Sequence, residues 1–149
     1  MKIIVDADAN PTNDIVMDIA KRYNLELIYV HDSSHLLTVE YGSVIIVDKG
    51  ADSADFKILS IANKYDIAIT QDYELASLLL SKRVYIIHPN GFEINMSNID
   101  TLMQTRYLNK KASQAKIRLP KIKKRTTEDN NNFRVCLENL ITGILNGEN

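Results

Sequence analysis

Apolar residues over the first hundred positions fall into short solid runs, separated by stretches with helical spacing. Ile3-Ile4-Val5 is the first run, and a run that short reads as a buried strand. Ile15, Ile19, Ala20 and Tyr23 then recur near a 3.6-residue period, predicting a helix over about 11–23. Asn10 suits the N-cap of that helix and Pro11 its first position. Leu25–Val30 and Ser43–Val47 predict a second and a third strand. A helix over about 54–65 follows, with Phe56, Ile58, Leu59 and Ala62 as its apolar stripe. Ile67–Thr70 predicts a fourth strand, and Leu75, Ala76, Leu78 and Leu79 mark another helix. Val84–Ile87 predicts a fifth strand, ended by Pro89-Asn90-Gly91. Strands that are apolar throughout and alternate with helices need cover on both faces. The expected fold class is therefore α/β, a three-layer sandwich with a mainly parallel central sheet.

Beyond residue 95 or so the pattern turns helical. A helix from about 97 runs past Leu102 and Tyr107 into a lysine-rich stretch. Leu119-Pro120-Lys121 interrupts it, because proline disfavours helix at the residue before it, and 113–127 is expected to be a mobile loop. Phe133, Leu137, Leu140, Ile141 and Ile144 stripe a last helix over about 128–146, expected to pack on the sheet. The organisation expected is an α/β domain over 1–100, with 101–149 a basic segment and C-terminal helix packed on that same domain.

Composition narrows the class. A chain of 149 residues, 45% of them apolar, buries enough surface to fold without staples. The single cysteine, Cys136, excludes an internal disulfide and any multi-cysteine zinc site, and it falls within the last helical pattern as a core residue. No apolar run approaches the roughly 18 residues of a membrane span, and no cleavable signal pattern precedes Lys2–Asp6. A soluble cytoplasmic protein with no membrane partner is expected. His31, His35 and His88 form no convincing metal or triad constellation.

The net charge of −1 hides an asymmetry. Residues 1–100 carry fifteen of the nineteen acids, whereas 101–127 carry nine of the eighteen basic residues and no acid. Those nine are Arg106, Lys110, Lys111, Lys116, Arg118, Lys121, Lys123, Lys124 and Arg125. Such a run suits a polyanionic partner, and suits equally a solvated loop balancing an acidic body. If about five of them contacted single-stranded phosphates, log affinity would fall with log salt at a slope near −3.5. Tyr107 lies within the run, as a candidate for stacking a base.

The aspartates carry the most chemistry. Asp6 and Asp8 follow the first strand, Asp48 ends the third and Asp72 follows the fourth. In an open parallel sheet, ligands bind in the crevice beyond the strands' carboxyl ends. Two like charges 4 Å apart repel by about 4 kcal/mol at an effective dielectric of 20, so converging carboxylates call for a cation or for protonation. Magnesium and manganese fit, being hard ions that prefer oxygen ligands. Local uses compete for several of these residues. Asp48 and Asp66 suit turns, Asp52 and Asp55 suit a helix start, and Asn10 is an N-cap before it is a ligand. For Asp6 with Asp72, beyond two buried strands, capping alone is a weaker account.

Val5-Asp6-Ala7-Asp8-Ala9-Asn10-Pro11 resembles the DADACP opening of the bacterial YaiI/YqxD family. Gly50-Ala51-Asp52-Ser53-Ala54-Asp55 is similar to that family's G-x-D-x-A-D segment, Ile69-Thr70-Gln71-Asp72-Tyr73-Glu74-Leu75-Ala76 to its I-T-x-D-x-x-L-A segment, and Pro89-Asn90-Gly91 to its P-x-G turn. The resemblance implies a PIN-like fold, shared with magnesium- or manganese-dependent nucleases that cut single-stranded RNA. It implies catalytic roles for Asp6, Asp55 and Asp72, with Asp8 and Asp52 as further metal-binding acids of the family. Beside the resemblance, Asn10 and Thr70 are candidates for support, Thr70 by hydrogen-bonding a carboxylate or equally as a plain strand-end residue. It leaves Lys110, Lys111, Lys116, Arg118, Lys121, Lys123, Lys124 and Arg125 as candidate nucleic-acid contacts. Two departures stand out: Asn10 replaces the family's usual cysteine, and the lysine-rich 110–125 replaces a stretch containing glycine and arginine. Two other readings stay open. One is a non-catalytic nucleic-acid-binding module on the same fold. The other is a haloacid-dehalogenase-like phosphatase, with Asp6 as nucleophile, Asp8 as acid/base and Ser33, Lys49 and Asp72 in its remaining roles.

Overall fold

The computed structural model describes residues 1–32, 38–50, 52–119 and 123–147. Ser33, His35, Pro120 and Lys121 lie outside the described residues. The apolar runs become β1 (Lys2–Asp6), β2 (Glu26–Asp32), β3 (Ser43–Val47), β4 (Ile67–Ile69) and β5 (Tyr85–His88), with a further strand β6 (Phe92–Ile94). The helical patterns become α1 (Asn13–Arg22), α2 (Ser53–Ile61), α3 (Tyr73–Ser81), α4 (Ile99–Gln114) and α5 (Thr127–Leu145). The strands form one sheet in the order β3-β2-β1-β4-β5-β6. All pairings are parallel except β5 with β6.

Alternation along the central strands sorts the core into two halves. Ile3 and Val5, with Leu27, Tyr29, Ile67 and Ile69, meet Val16 and Ile19 of α1 and Phe133, Leu137 and Ile141 of α5. Ile4, Val30, Ala68 and Ile86 meet Ile58 of α2, Leu75, Ala76 and Leu79 of α3, and Ile99 of α4. Each fully buried Leu, Ile or Phe contributes roughly 1.5–3 kcal/mol relative to exposure. The result is helices, sheet, helices: the expected three-layer α/β sandwich. From β1 the chain steps outward through β2 to β3, then returns to β4 on the other side of β1. The direction of winding therefore reverses between β1 and β4, and such a reversal opens a crevice at the strands' carboxyl ends.

Four local expectations need correction. Strand β2 runs on to Asp32 rather than ending at Val30, so His31 lies in the sheet. The N-cap of α1 is Thr12, not Asn10; the Asn10 Oδ1 accepts from the Thr12 amide (3.2 Å) and hydroxyl (2.8 Å), making a turn one step before the helix. Phe56 is 70% exposed rather than part of the buried stripe of α2. The helix lies beside β3, an edge strand whose Ile46 is itself 58% exposed, so there is no further sheet for Phe56 to cover. Strand β6 was not anticipated, because three residues with a single fully buried member carry no usable period.

The β5–β6 hairpin explains the Pro-Asn-Gly turn. The Gly91 amide donates to the His88 carbonyl (2.9 Å), and Gly91 sits at φ +92°, where a side chain is strained. A Cβ there would stand 2.7 Å from the Asn132 carbonyl carbon and 2.8 Å from the Phe133 nitrogen, so α5 rests directly on the turn. Arg125 completes this joint. Its guanidinium donates to the Pro89 carbonyl (2.8 Å), and its Nε donates to the Asn130 Oδ1 (2.7 Å). Helix α5 begins with a capping box, in which the Thr126 hydroxyl accepts from the Asp129 amide and the Asp129 carboxylate accepts from the Thr126 amide.

Asp66, read from sequence as a turn marker, holds the start of the sheet. Its buried carboxylate accepts from the Lys2 amide (3.0 Å), the Lys2 Nζ (2.6 Å) and the Asn63 amide (2.8 Å). Removing a buried carboxylate leaves its donors unpaired and a lysine uncompensated. Asp66→Ala is expected to lower unfolding stability by about 3 kcal/mol in urea titration, with a far-UV spectrum like wild type. A loss below about 0.5 kcal/mol would show that water replaces the carboxylate at no cost.

Candidate functional site

The crevice between β1 and β4 is lined by the acids singled out above. Asp6 is the last residue of β1 and shares the α2/α3 face with Ile4. Thr70 follows β4 and is 2% exposed. Its hydroxyl donates to the Asp6 Oδ2 (3.0 Å) and accepts from the Asp72 amide (3.0 Å). One side chain thus ties the end of β1 to the start of α3. Asp72 is the N-cap of α3, its Oδ1 accepting from the amides of Glu74 (2.9 Å) and Leu75 (3.1 Å). The capping role discounted from sequence is therefore real, and it fixes this carboxylate at the mouth of the crevice.

Asp55 enters from the first turn of α2. Burial, the charges of Asp72 and Asp6, and a hydrogen bond shared with Asp72 push its carboxyl up to about 7. A helix N-terminus favours a carboxylate, so here burial and the neighbouring acids prevail over the helix. Burial also raises Asp6, to about 6, with Asp72 and Asp8 adding to the rise and the Thr70 hydrogen bond opposing it. Asp6, Asp55 and Asp72 are thus brought into mutual electrostatic contact. Asp52 and Asp8 stand around them. Asp52 is exposed at φ +70° before α2, makes no side-chain cap bond, and acts on Asp55 through its charge. The Asp8 Oδ2 accepts from the Asp32 amide (2.9 Å), and its other oxygen lies 3.9 Å from the Nδ1 of buried His31. The Nε2 of that histidine has no hydrogen-bond partner among the described residues.

Among the described residues, no three His, Cys, Asp or Glu side chains close on a common point as a ready ligand set. The donor type is nonetheless that of a hard divalent cation: the groups are all carboxylate oxygens, and burial first, then the neighbouring acids, raise two of them to about 6 and about 7. Asn10 is engaged in the turn before α1, donating from Nδ2 to Asn13 (2.8 Å) as well as accepting from Thr12.

The basic residues divide. Lys110 lines a groove of about 830 Å³ between the start of α3 and the face of α4, together with Asp72, Tyr73, Glu74, Arg106 and Tyr107. The groove reaches Asp72 and includes neither Asp6 nor Asp55 in its lining. Lys111 lies on α4 beside Tyr107, with Nζ 5.6 Å from the ring centroid. Lys116 and Arg118 follow α4, Lys123 and Lys124 precede α5, and all four are exposed. Arg125, a candidate nucleic-acid contact, is occupied by the β5–β6 turn. Arg106, a member of the basic run, stands 5.9 Å from the ring of Tyr73, which the sequence did not single out. Met103, Arg106, Tyr107 and Lys110 recur at i, i+3, i+4 and i+7, which is the sequence signal of one helix face. His88 ends β5 with Nδ1 accepting from the Asn90 amide (3.0 Å) and its ring 4.6 Å from Phe92. Burial and Arg125 pull its pKa down to about 4, so it is a neutral packing group.

The family model for the YaiI/YqxD family, described as an uncharacterised BCR family, matches residues 4–143. The chain belongs to the YaiI/YqxD family. Similar relatives include a UPF0178 protein of Natranaerobius thermophilus, 43% identical over 141 residues, covering 95% of this chain and 96% of the relative. A UPF0178 protein of Oceanobacillus iheyensis is 43% identical over 145 residues, covering 95% and 99%, and one of Alkaliphilus oremlandii is 40% identical over 133 residues, covering 89% and 86%. No solved structure matches the chain. In this YaiI/YqxD protein the DAD, G-x-D-x-A-D and I-T-x-D segments are the three pieces of chain that supply the acidic cluster. Among the described residues no helix is long and apolar enough to cross a membrane.

The raised carboxyls set a pH dependence. Unfolded, Asp6 and Asp55 release protons near 3.8; folded, they hold them to about 6 and about 7. The folded state therefore binds more protons across that window, and their contribution to stability is full below about pH 4 and lost as pH rises towards 7. His88 acts in the opposite sense, costing stability as pH falls from 6.5 towards 4. The difference between wild type and Asp6→Asn isolates the carboxyl. In EDTA, Asp6→Asn is expected to gain on wild type as pH rises from 4.5 to 7.5, by on the order of 2 kcal/mol. Parallel urea-stability profiles across that range would show that Asp6 titrates like an ordinary surface carboxyl.

Proposed function

We propose that this protein is a metal-dependent nuclease of PIN-like type, hydrolysing phosphodiester bonds in single-stranded RNA in the cytoplasm. The observation that carries the reading is the electrostatic contact among Asp6, Asp55 and Asp72 beside the point where the sheet reverses its winding, with two of the three carboxyls raised by burial and by neighbouring acids. A magnesium or manganese ion held by Asp6, Asp55 and Asp72, with Asp8 and Asp52 beside them, would lower the pKa of a water and polarise a phosphate.

The chain's own residues supply order. Thr70 keeps one oxygen of Asp6 turned towards the start of α3. The cap bonds of Asp72 stop that carboxylate from rotating away. Asp8 is tied to the end of β2, which suits an outer role better than direct ligation. The basic residues of α4 offer an RNA strand a path to Asp72. The phosphatase alternative has less support: the charged groups that shift Asp6 are the acids Asp72 and Asp8, with no lysine among them.

Calorimetric titration of Mn²⁺ into wild type and into Asp6→Asn/Asp72→Asn, beside a cleavage assay on single-stranded RNA, tests the reading. Wild type is expected to bind Mn²⁺ and to cleave, and the double variant to lose both, with cleavage falling at least 100-fold. Binding without cleavage would turn the reading to a non-catalytic module on the same fold. No Mn²⁺ binding by wild type would end the nuclease mechanism.

A further inference from the structure

The groove between α3 and α4 has chemistry of its own, distinct from the carboxylates at its end. Its α4 wall presents Arg106, Tyr107 and Lys110, and its floor is the start of α3 with Asp72 and Tyr73. Tyr107 is 58% exposed although it is a large ring on a folded helix. Arg106 stands 5.9 Å from the Tyr73 ring within the groove, and Lys111, outside its lining, stands 5.6 Å from the Tyr107 ring. An exposed aromatic face beside cations is how proteins hold single-stranded nucleic acid: bases stack on the ring and phosphates take the charges. The volume of about 830 Å³ falls within the range of small-ligand sites, roughly 300–1,000 Å³, so there is room for a nucleotide unit.

We propose that this groove is a subsite for one nucleotide of a single-stranded polynucleotide, its base stacked on Tyr107 and its phosphates on Arg106 and Lys110. The inference deepens the proposed function by naming how the strand is held, and it rests on that reading only for what happens at Asp72. A base can stack on Tyr107 only if it is unpaired, so the subsite selects single strands over duplex. The acids at the end of the groove repel phosphate. The strand is therefore anchored by α4, with the next phosphodiester lying towards Asp72.

The test is fluorescence anisotropy with a labelled single-stranded RNA 12-mer in EDTA, where no metal-dependent cleavage interferes. Tyr107→Ala is expected to weaken binding about tenfold and Tyr107→Phe to keep wild-type affinity, since the ring and not the hydroxyl stacks. Arg106→Gln/Lys110→Gln is expected to flatten the slope of log affinity against log salt by about 1.4. An abasic 12-mer is expected to bind with no dependence on Tyr107. The proposal is overturned if wild type does not bind the 12-mer, if Tyr107→Ala binds it as wild type does, or if duplex RNA or polyglutamate binds equally well. Binding that depends on Tyr107 without Mn²⁺-dependent cleavage would sink the nuclease reading and keep the subsite. Cleavage that is indifferent to Tyr107 would do the reverse.

Discussion

Repulsion among carboxylates at the meeting of β1, β4, α2 and α3 is the constraint around which this molecule is arranged. Three acids come from three separate parts of the chain, and the sheet forces them together: β1 and β4 are neighbours because the chain reverses its winding there. The fold does not dilute the charge. It half-buries Asp6 and Asp55 and lets their protons stay on to about 6 and 7. A protein selected for stability alone has no use for such a cluster, because apolar groups of similar size would serve better. Clusters of strongly perturbed groups in a crevice are instead where function concentrates.

The surrounding structure reads as the means of holding that arrangement still. Thr70 links β1 to α3 through one hydroxyl, and Asp72 both caps α3 and closes the cluster. Asp66 pins the opposite end of β1 to the start of β4. Farther off, the Gly91 turn and Arg125 seat α5 against the hairpin, completing the cover of the sheet face opposite the acids. The cluster's backbone supports are thus regular elements with buried cores.

Much of this was legible in the chain. Five of the strands announced themselves as apolar runs, the central ones because a parallel strand covered on both faces tolerates no alternation. Asp6 and Asp72 were legible as candidates from their positions after predicted strands, whereas Asp55, whose place at a helix start suggested a local use, entered through the resemblance of its segment to a YaiI/YqxD motif. What was not legible depended on neighbours distant in sequence. Phe56 sits at a core position of its own helix, yet the sheet ends at β3 and leaves it uncovered. Arg125 looked like one more member of a charge run until the Pro89 carbonyl, thirty-six residues away, claimed its guanidinium. The end of β2 was placed at Val30 because the strand outlasts its apolar run by two residues, His31 and Asp32. Asn10 was misread as a helix cap because an Asx turn and an N-cap share the same residue preferences.

The central claim is that Asp6 and Asp55 share a charged site whose repulsion a divalent cation relieves. A side-chain carboxyl ¹³C NMR titration of the aspartates, without metal and with Mg²⁺, tests it most directly. The account predicts metal-free midpoints of about 6 for Asp6 and about 7 for Asp55, both drawn below about 5 by saturating Mg²⁺ as the cation favours the ionised form. Midpoints near the ordinary 3.9 for both residues, unmoved by Mg²⁺, would contradict it.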